Sequence, residues 1–134
     1  MRQHKDFIER EIEKLTLLLQ SLIEKVSGLS FVITKTDIDE VDKIFKYEFD
    51  LNIHQICKMD SKDFIQKFSK LHHKPAEQLT RLLYQLVIRV KNSQSFDKKL
   101  LAEKTIILID VLNQNSSTFS IESRQMIYRL EQFK

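Results

Sequence analysis

The stretch 5–28, KDFIEREIEKLTLLLQSLIEKVSG, decides the fold. Its apolar residues Ile8, Ile12, Leu15, Leu19, Leu22 and Val26 recur at steps of 4, 3, 4, 3 and 4. A half-buried strand alternates every second residue, so this spacing belongs to a helix with an a/d seam close to three heptads long. Ile23 and Leu18 widen the seam, one on each side. Leu17 falls on the far face, where Glu9, Arg10, Glu13, Lys14 and Glu24 also gather. The like-charge pairs Glu9–Glu13 and Arg10–Lys14 are offset by Asp6–Arg10 and Glu11–Lys14, which have opposite signs at helical spacing. A helix over 5–27 is expected, with Gly28 as its left-handed stop.

Working outward, the chain of 134 residues holds one glycine, Gly28, and one proline, Pro75. Hairpins and phosphate-cradling loops draw on glycine for backbone with φ > 0, so the rest of the chain reads as helices too. Further helices are expected over 37–52 with Thr36 as N-cap, over 61–73 capped by Asp60 or Ser61, and over 75–91 with Pro75 at the first helical position. Two more follow, over 97–114 and over 121–133 with Ser120 as cap. A short helix or turn fills 53–59. The buried faces are Ile38, Val41, Phe45 and Phe49; then Phe64, Ile65, Phe68 and Leu71; then Leu79, Leu82, Leu83, Leu86, Val87 and Val90. Apolar residues nearly encircle 97–114, which is expected to be the most buried helix. In the last helix Ile127, Leu130 and Phe133 point inward, with Ile121, Met126 and Tyr128 at the edges. Residues 29–33 read as an apolar connector, 92–95 as a polar loop, and 113–118 as a polar helix end. The fold class is all-α, about six helices in one domain over 1–134: an N-terminal helix over 1–27 as an association element, and a helical body over 36–134 built as a bundle or short solenoid of hairpins.

Composition narrows the function classes. Apolar residues make up 42% and charged residues 31%, a soluble globular balance. The longest strictly apolar run is 106–109, far short of a membrane span. The N-terminus has no apolar segment behind its basic residues and reads as neither signal nor transit peptide. A lone Cys57 forms no internal disulfide, and a cytoplasmic location is expected. The formal net charge is +3, distributed as zero over 1–27, −3 over 28–60 and +6 over 61–134. Such a dipolar chain steers an anionic partner or pairs with itself, although ordinary surface variation gives the same numbers.

Three constellations are candidate sites. His54 and Cys57, one helical turn apart, together with His72 or His73, are donors of the kind that hold zinc or copper; the competing reading is a structural cysteine and surface histidines, His72 and His73 lying at a helix C-terminus. Cys57 with His54 as base lacks any glycine nearby to shape an oxyanion hole, and carboxylate pairs such as Asp39/Asp42 and Glu9/Glu13 read as solvated helix faces. Neither a catalytic residue nor a cofactor is expected. Lys67, Lys70 and Lys74, extended by Arg81 and Arg89, form a basic row that suits a phosphate backbone or an acidic protein, or is simply solvated. The first helix carries the sharpest interaction signal: Ile8, Ile12, Leu15, Leu18, Leu19, Leu22 and Val26 form an apolar face, with Leu17 adding a second. A homodimer through this helix is the expected partner arrangement, against the alternative that the rest of the chain wraps it.

The segment Asp6-Phe7-Ile8-Glu9-Arg10 with Leu15, Leu18 and Leu19, followed by helical hairpins that end in Phe119-Ser120-Ile121-Glu122 and a last helix, resembles small uncharacterised bacterial all-helical proteins with tetratricopeptide-like C-terminal halves. The small residues that define that repeat are mostly absent, Ala76 and Ala102 being the only alanines. The resemblance implies no activity and transfers no functional residue. The expected function is a non-enzymatic helical protein–protein interaction module, self-associating through its first helix, with nucleic-acid binding by the basic row as the alternative and metal binding after it.

Overall fold

The computed structural model describes residues 2–28, 35–90, 96–115 and 119–133. Among them lie seven α-helices and no strand: α1 (Arg2–Gly28), α2 (Lys35–Phe49), α3 (Ile53–Lys58), α4 (Ser61–Phe68), α5 (His73–Arg89), α6 (Lys98–Asn115) and α7 (Ser120–Leu130), closed by a 3-10 turn, Glu131–Phe133. The all-α class read from spacing and glycine scarcity is the class observed.

The fold is built around α5. No residue over 75–90 is exposed, because α1 packs along α5 on one side while α6 and α7 meet it elsewhere. α6 touches α3, α4, α5 and α7, but Lys99, Asp110, Asn113 and Gln114 remain exposed on it. The most enclosed helix is therefore α5 rather than α6. Its single clean stripe undercounts its burial, since α1 covers further faces. Buried threonines are satisfied within their own helices: the hydroxyls of Thr16, Thr80 and Thr105 donate to the Ile12, Ala76 and Leu101 carbonyls at 2.7, 2.8 and 2.7 Å. Burial therefore leaves none of these hydroxyls unpaired.

α2 runs antiparallel to α1, with Lys25 of α1 paired to Glu40 of α2. Its inner face is aromatic. Phe45 stands edge-on to Phe49 at 5.6 Å, Phe49 edge-on to Phe68 at 5.5 Å, and Phe68 against Phe64 at 4.9 Å. These rings join α2 to α4, each such pair adding about 0.5–1.5 kcal/mol to simple burial.

Several boundaries differ from those expected, each for a local reason. α2 stops at Phe49 because Asp50 takes a left-handed φ of 60° and its N–H closes on the Lys46 carbonyl at 3.0 Å. Asn52 then caps α3 instead of ending α2. Its side chain accepts the Gln55 N–H at 2.8 Å and Gln55 returns the bond to the Asn52 N–H at 2.8 Å, a capping box. Asp42 of α2 accepts the Ile53 N–H at 2.7 Å and ties the two helices. The helix expected over 61–73 ends at Phe68, and α5 begins at His73 with His72 as its N-cap. Pro75 is consequently the third residue of α5 rather than the first, still inside the turn whose N–H groups have no helical partner. Thr36 lies within α2 rather than capping it, and Ser120 is the first residue of α7 rather than its cap. Gly28 is the last residue of α1 and has no positive φ, so the left-handed stop expected there is absent. In α7, Met126 is buried while Ile127 is only partly so, as is Phe133 in the 3-10 turn that follows. The connector 29–33 and the loop 92–95 lie outside the described residues. No helix among those described is long and apolar enough to cross a membrane.

Candidate functional site

The apolar face of α1 is divided between two environments. Leu19, Leu22 and Val26 are buried in the core of the same chain, so for these three the expected intermolecular seam is replaced by packing within the molecule. The cause is α5, whose apolar faces outnumber what α6 and α7 cover. Ile12, Leu15 and Leu18 are half-buried. Ahead of them the helix is bare: every residue over 5–11 is exposed, with Phe7 at 58% and Ile8 at 44%. Leu17, on the far face, is 54% exposed.

A groove runs between α1 and α2. Glu11, Lys14, Leu15, Leu17 and Leu18 line it from α1, and Tyr47 and Glu48 from α2. The antiparallel register explains its position. Lys25 meets Glu40 at one end, Leu18 and Tyr47 share the groove further along, and α2 stops two residues beyond Tyr47. The first third of α1 therefore projects past the end of α2. Tyr47 escaped the sequence reading because it is out of phase with Ile38, Val41, Phe45 and Phe49. It is 87% exposed, and only the neighbouring helix gives it a context.

The basic row is not assembled as expected. Lys67, Lys70 and Lys74 are exposed, but Lys67 and Lys70 border a hollow that also holds Asp50 and Asp63. Arg81 is held by Glu122 through two hydrogen bonds of 2.9 and 2.8 Å and lies over the Phe119 ring at 5.1 Å. That bond holds its guanidinium above the ordinary range. Arg89 Nε donates to Gln85 at 3.1 Å. Local periodicity lines up cations within each helix, yet carries no information about the acidic residue of α7 that meets Arg81.

His54, Cys57, His72 and His73 are likewise not gathered. Cys57 is 1% exposed, its thiol donating to the Asp97 carbonyl at 3.6 Å. Burial pushes its pKa up to about 11. That is the opposite of the shift an activated nucleophile or a metal-bound thiolate needs. His54 is exposed and near enough to Asp42 for its charge to act there. His72 and His73 stack at 4.2 Å and sit at the N-terminus of α5, not at a helix C-terminus. Among the described residues no group of three His, Cys, Asp or Glu converges as a metal site. A scan of family models, a search of curated proteins and a search of solved structures each found no match for this chain.

Proposed function

We propose that this protein is a non-enzymatic helical interaction module that associates with itself through α1. One observation carries the reading: Phe7 and Ile8 stay exposed at 58 and 44% on a helix whose later seam residues Leu19, Leu22 and Val26 are buried in the body. Full burial of a Phe side chain is worth about 1.5–3 kcal/mol, and a two-fold axis repeats whatever part of that is recovered. The surface is apolar at its centre and mixed in charge at its edges, where Lys5, Asp6, Glu9 and Arg10 lie, a composition suited to a protein partner.

The test is the mass in solution by sedimentation equilibrium. A dimer is expected for the wild type and a monomer for Phe7→Glu, with helical circular dichroism unchanged because Phe7 is exposed. Leu19→Glu is uninformative, since it places a charge in the core and unfolds the chain. A wild type that stays monomeric at the highest attainable concentration refutes the proposal.

A further inference from the structure

Phe7, Glu11, Lys14 and Leu18 step by 4, 3 and 4 along α1, which places them within an arc of about 60°. Their order is apolar, acidic, basic, apolar. Glu11, Lys14 and Leu18 line the groove between α1 and α2, and Phe7 continues the row onto the part of α1 that projects beyond α2. Phe7, Glu11 and Lys14 are exposed. Among the described residues neither Glu11 nor Lys14 enters an ion pair.

Such a row is complementary to its own reverse. Laid antiparallel on a second copy about a two-fold axis level with residues 12 and 13, Phe7 meets Leu18 of the second copy, and Glu11 meets Lys14 of the second copy. The symmetry then repeats both contacts. A parallel arrangement instead sets Glu11 against Glu11 and Lys14 against Lys14, which is repulsive. Tyr47 and Glu48 form the other wall of the groove, and Tyr47, 87% exposed, stands beside Leu18 where the incoming Phe7 arrives. We infer that the partner for the α1–α2 groove is the projecting end of α1 from a second copy of this chain, docked antiparallel with Glu11 and Lys14 paired reciprocally. The inference rests on self-association through α1 and assigns its face, direction and register.

Charge reversal tests it. Glu11→Lys and Lys14→Glu chains are prepared separately, as a double variant, and as an equimolar mixture of the two single variants. Dissociation constants are measured by sedimentation at low ionic strength beside the wild type. Each single variant sets like charges against each other at both symmetry-related contacts, so self-association at least about tenfold weaker is expected. The mixture is expected to recover near wild-type affinity as a heterodimer, and the double variant likewise as a homodimer. Recovery in the mixture cannot come from repaired packing inside α1, because each chain keeps its own single change. Dimers of wild-type affinity in both single variants, or a mixture no tighter than its components, overturn this register while leaving self-association standing. A monomeric wild type overturns both.

Discussion

Arg81 grips Glu122 in a two-pronged ion pair across 41 residues of sequence, Nε to Oε1 at 2.9 Å and Nη2 to Oε2 at 2.8 Å. It locks α7 to α5, and the guanidinium also covers the Phe119 ring ahead of α7. The side chains are 29 and 48% exposed, so solvent screens the pair. Arg81→Lys keeps the charge but loses the planar fork, and is expected to cost about 0.5–1 kcal/mol in urea denaturation. The hydrogen bond from Arg81 holds the Glu122 carboxyl below its ordinary 4.5. A carboxylate depressed by folding contributes stability above its unfolded pKa and loses it as pH falls through the folded value. Arg81→Ala is therefore expected to flatten the decline of stability with acid below pH 4.5. An unchanged slope speaks against the pair.

Cys57 is expected to be inert in the native protein. The thiol is 1% exposed and its pKa is raised from 9.0 to about 11, mainly by burial. A thiol held protonated by the fold contributes stability below its unfolded pKa and loses it as pH rises through the folded one, here between 9.0 and about 11. A disulfide reagent at mildly alkaline pH is expected to label Cys57 only at the rate of opening, and immediately in denaturant. Fast labelling of the folded protein contradicts this packing. Cys57→Ala, which removes the group altogether, is expected to cost about 1 kcal/mol and to reduce the loss of stability between pH 9.0 and about 11 by the thiol's share.

His72 makes the start of α5 sensitive to pH. Its Nδ1 accepts the Lys74 N–H at 3.2 Å, a bond that only a neutral imidazole makes. Burial lowers its pKa from 6.5, and His73 and Lys74 push in the same direction. The unfolded chain thus takes up the proton first, so stability is retained above 6.5 and declines as pH falls below it. Asn supplies a cap without titrating. His72→Asn and the wild type are expected to be equally stable at mildly alkaline pH, with the variant ahead below 6.5. Parallel curves count against the cap.

The parts of this fold that were legible in the sequence are those set by repetition. Leu79, Leu82, Leu83, Leu86 and Val87 read as one stripe and are buried as one. Leu19, Leu22 and Val26 follow the a/d steps into the core. What periodicity cannot carry is which neighbour covers a face, and so where the apolar face of α1 passes from core to surface. That is decided by tertiary packing, chiefly along α5. The position of His72 is not legible because imidazole is not among the usual N-caps, and the Asn52–Gln55 box is hidden because the helical periodicity of α2 continues into it. The basic row came apart at Arg81 because its partner lies on another helix.

Gly28 and Asp50 occupy each other's expected roles, and exchanging their chemistry should stabilise the protein. Gly28 has no positive φ, and a Cβ built on it meets nothing within 4 Å. Alanine there gains helix propensity and restricts the unfolded chain, so Gly28→Ala is expected to stabilise by about 0.5–1 kcal/mol. Asp50 holds a φ of 60°, a conformation that side chains oppose and glycine adopts freely. Its ion pair with Lys46, at 3.9 Å and largely exposed, offsets little of that strain. Asp50→Gly is expected to stabilise by about 0.5–1 kcal/mol and Asp50→Val to destabilise by about 1–2 kcal/mol. The two sites lie on different helices without a shared partner, so their effects should add in the Gly28→Ala/Asp50→Gly chain. Urea midpoints measured on all four variants check each value. A loss of stability in Asp50→Gly is the result that contradicts the left-handed end of α2.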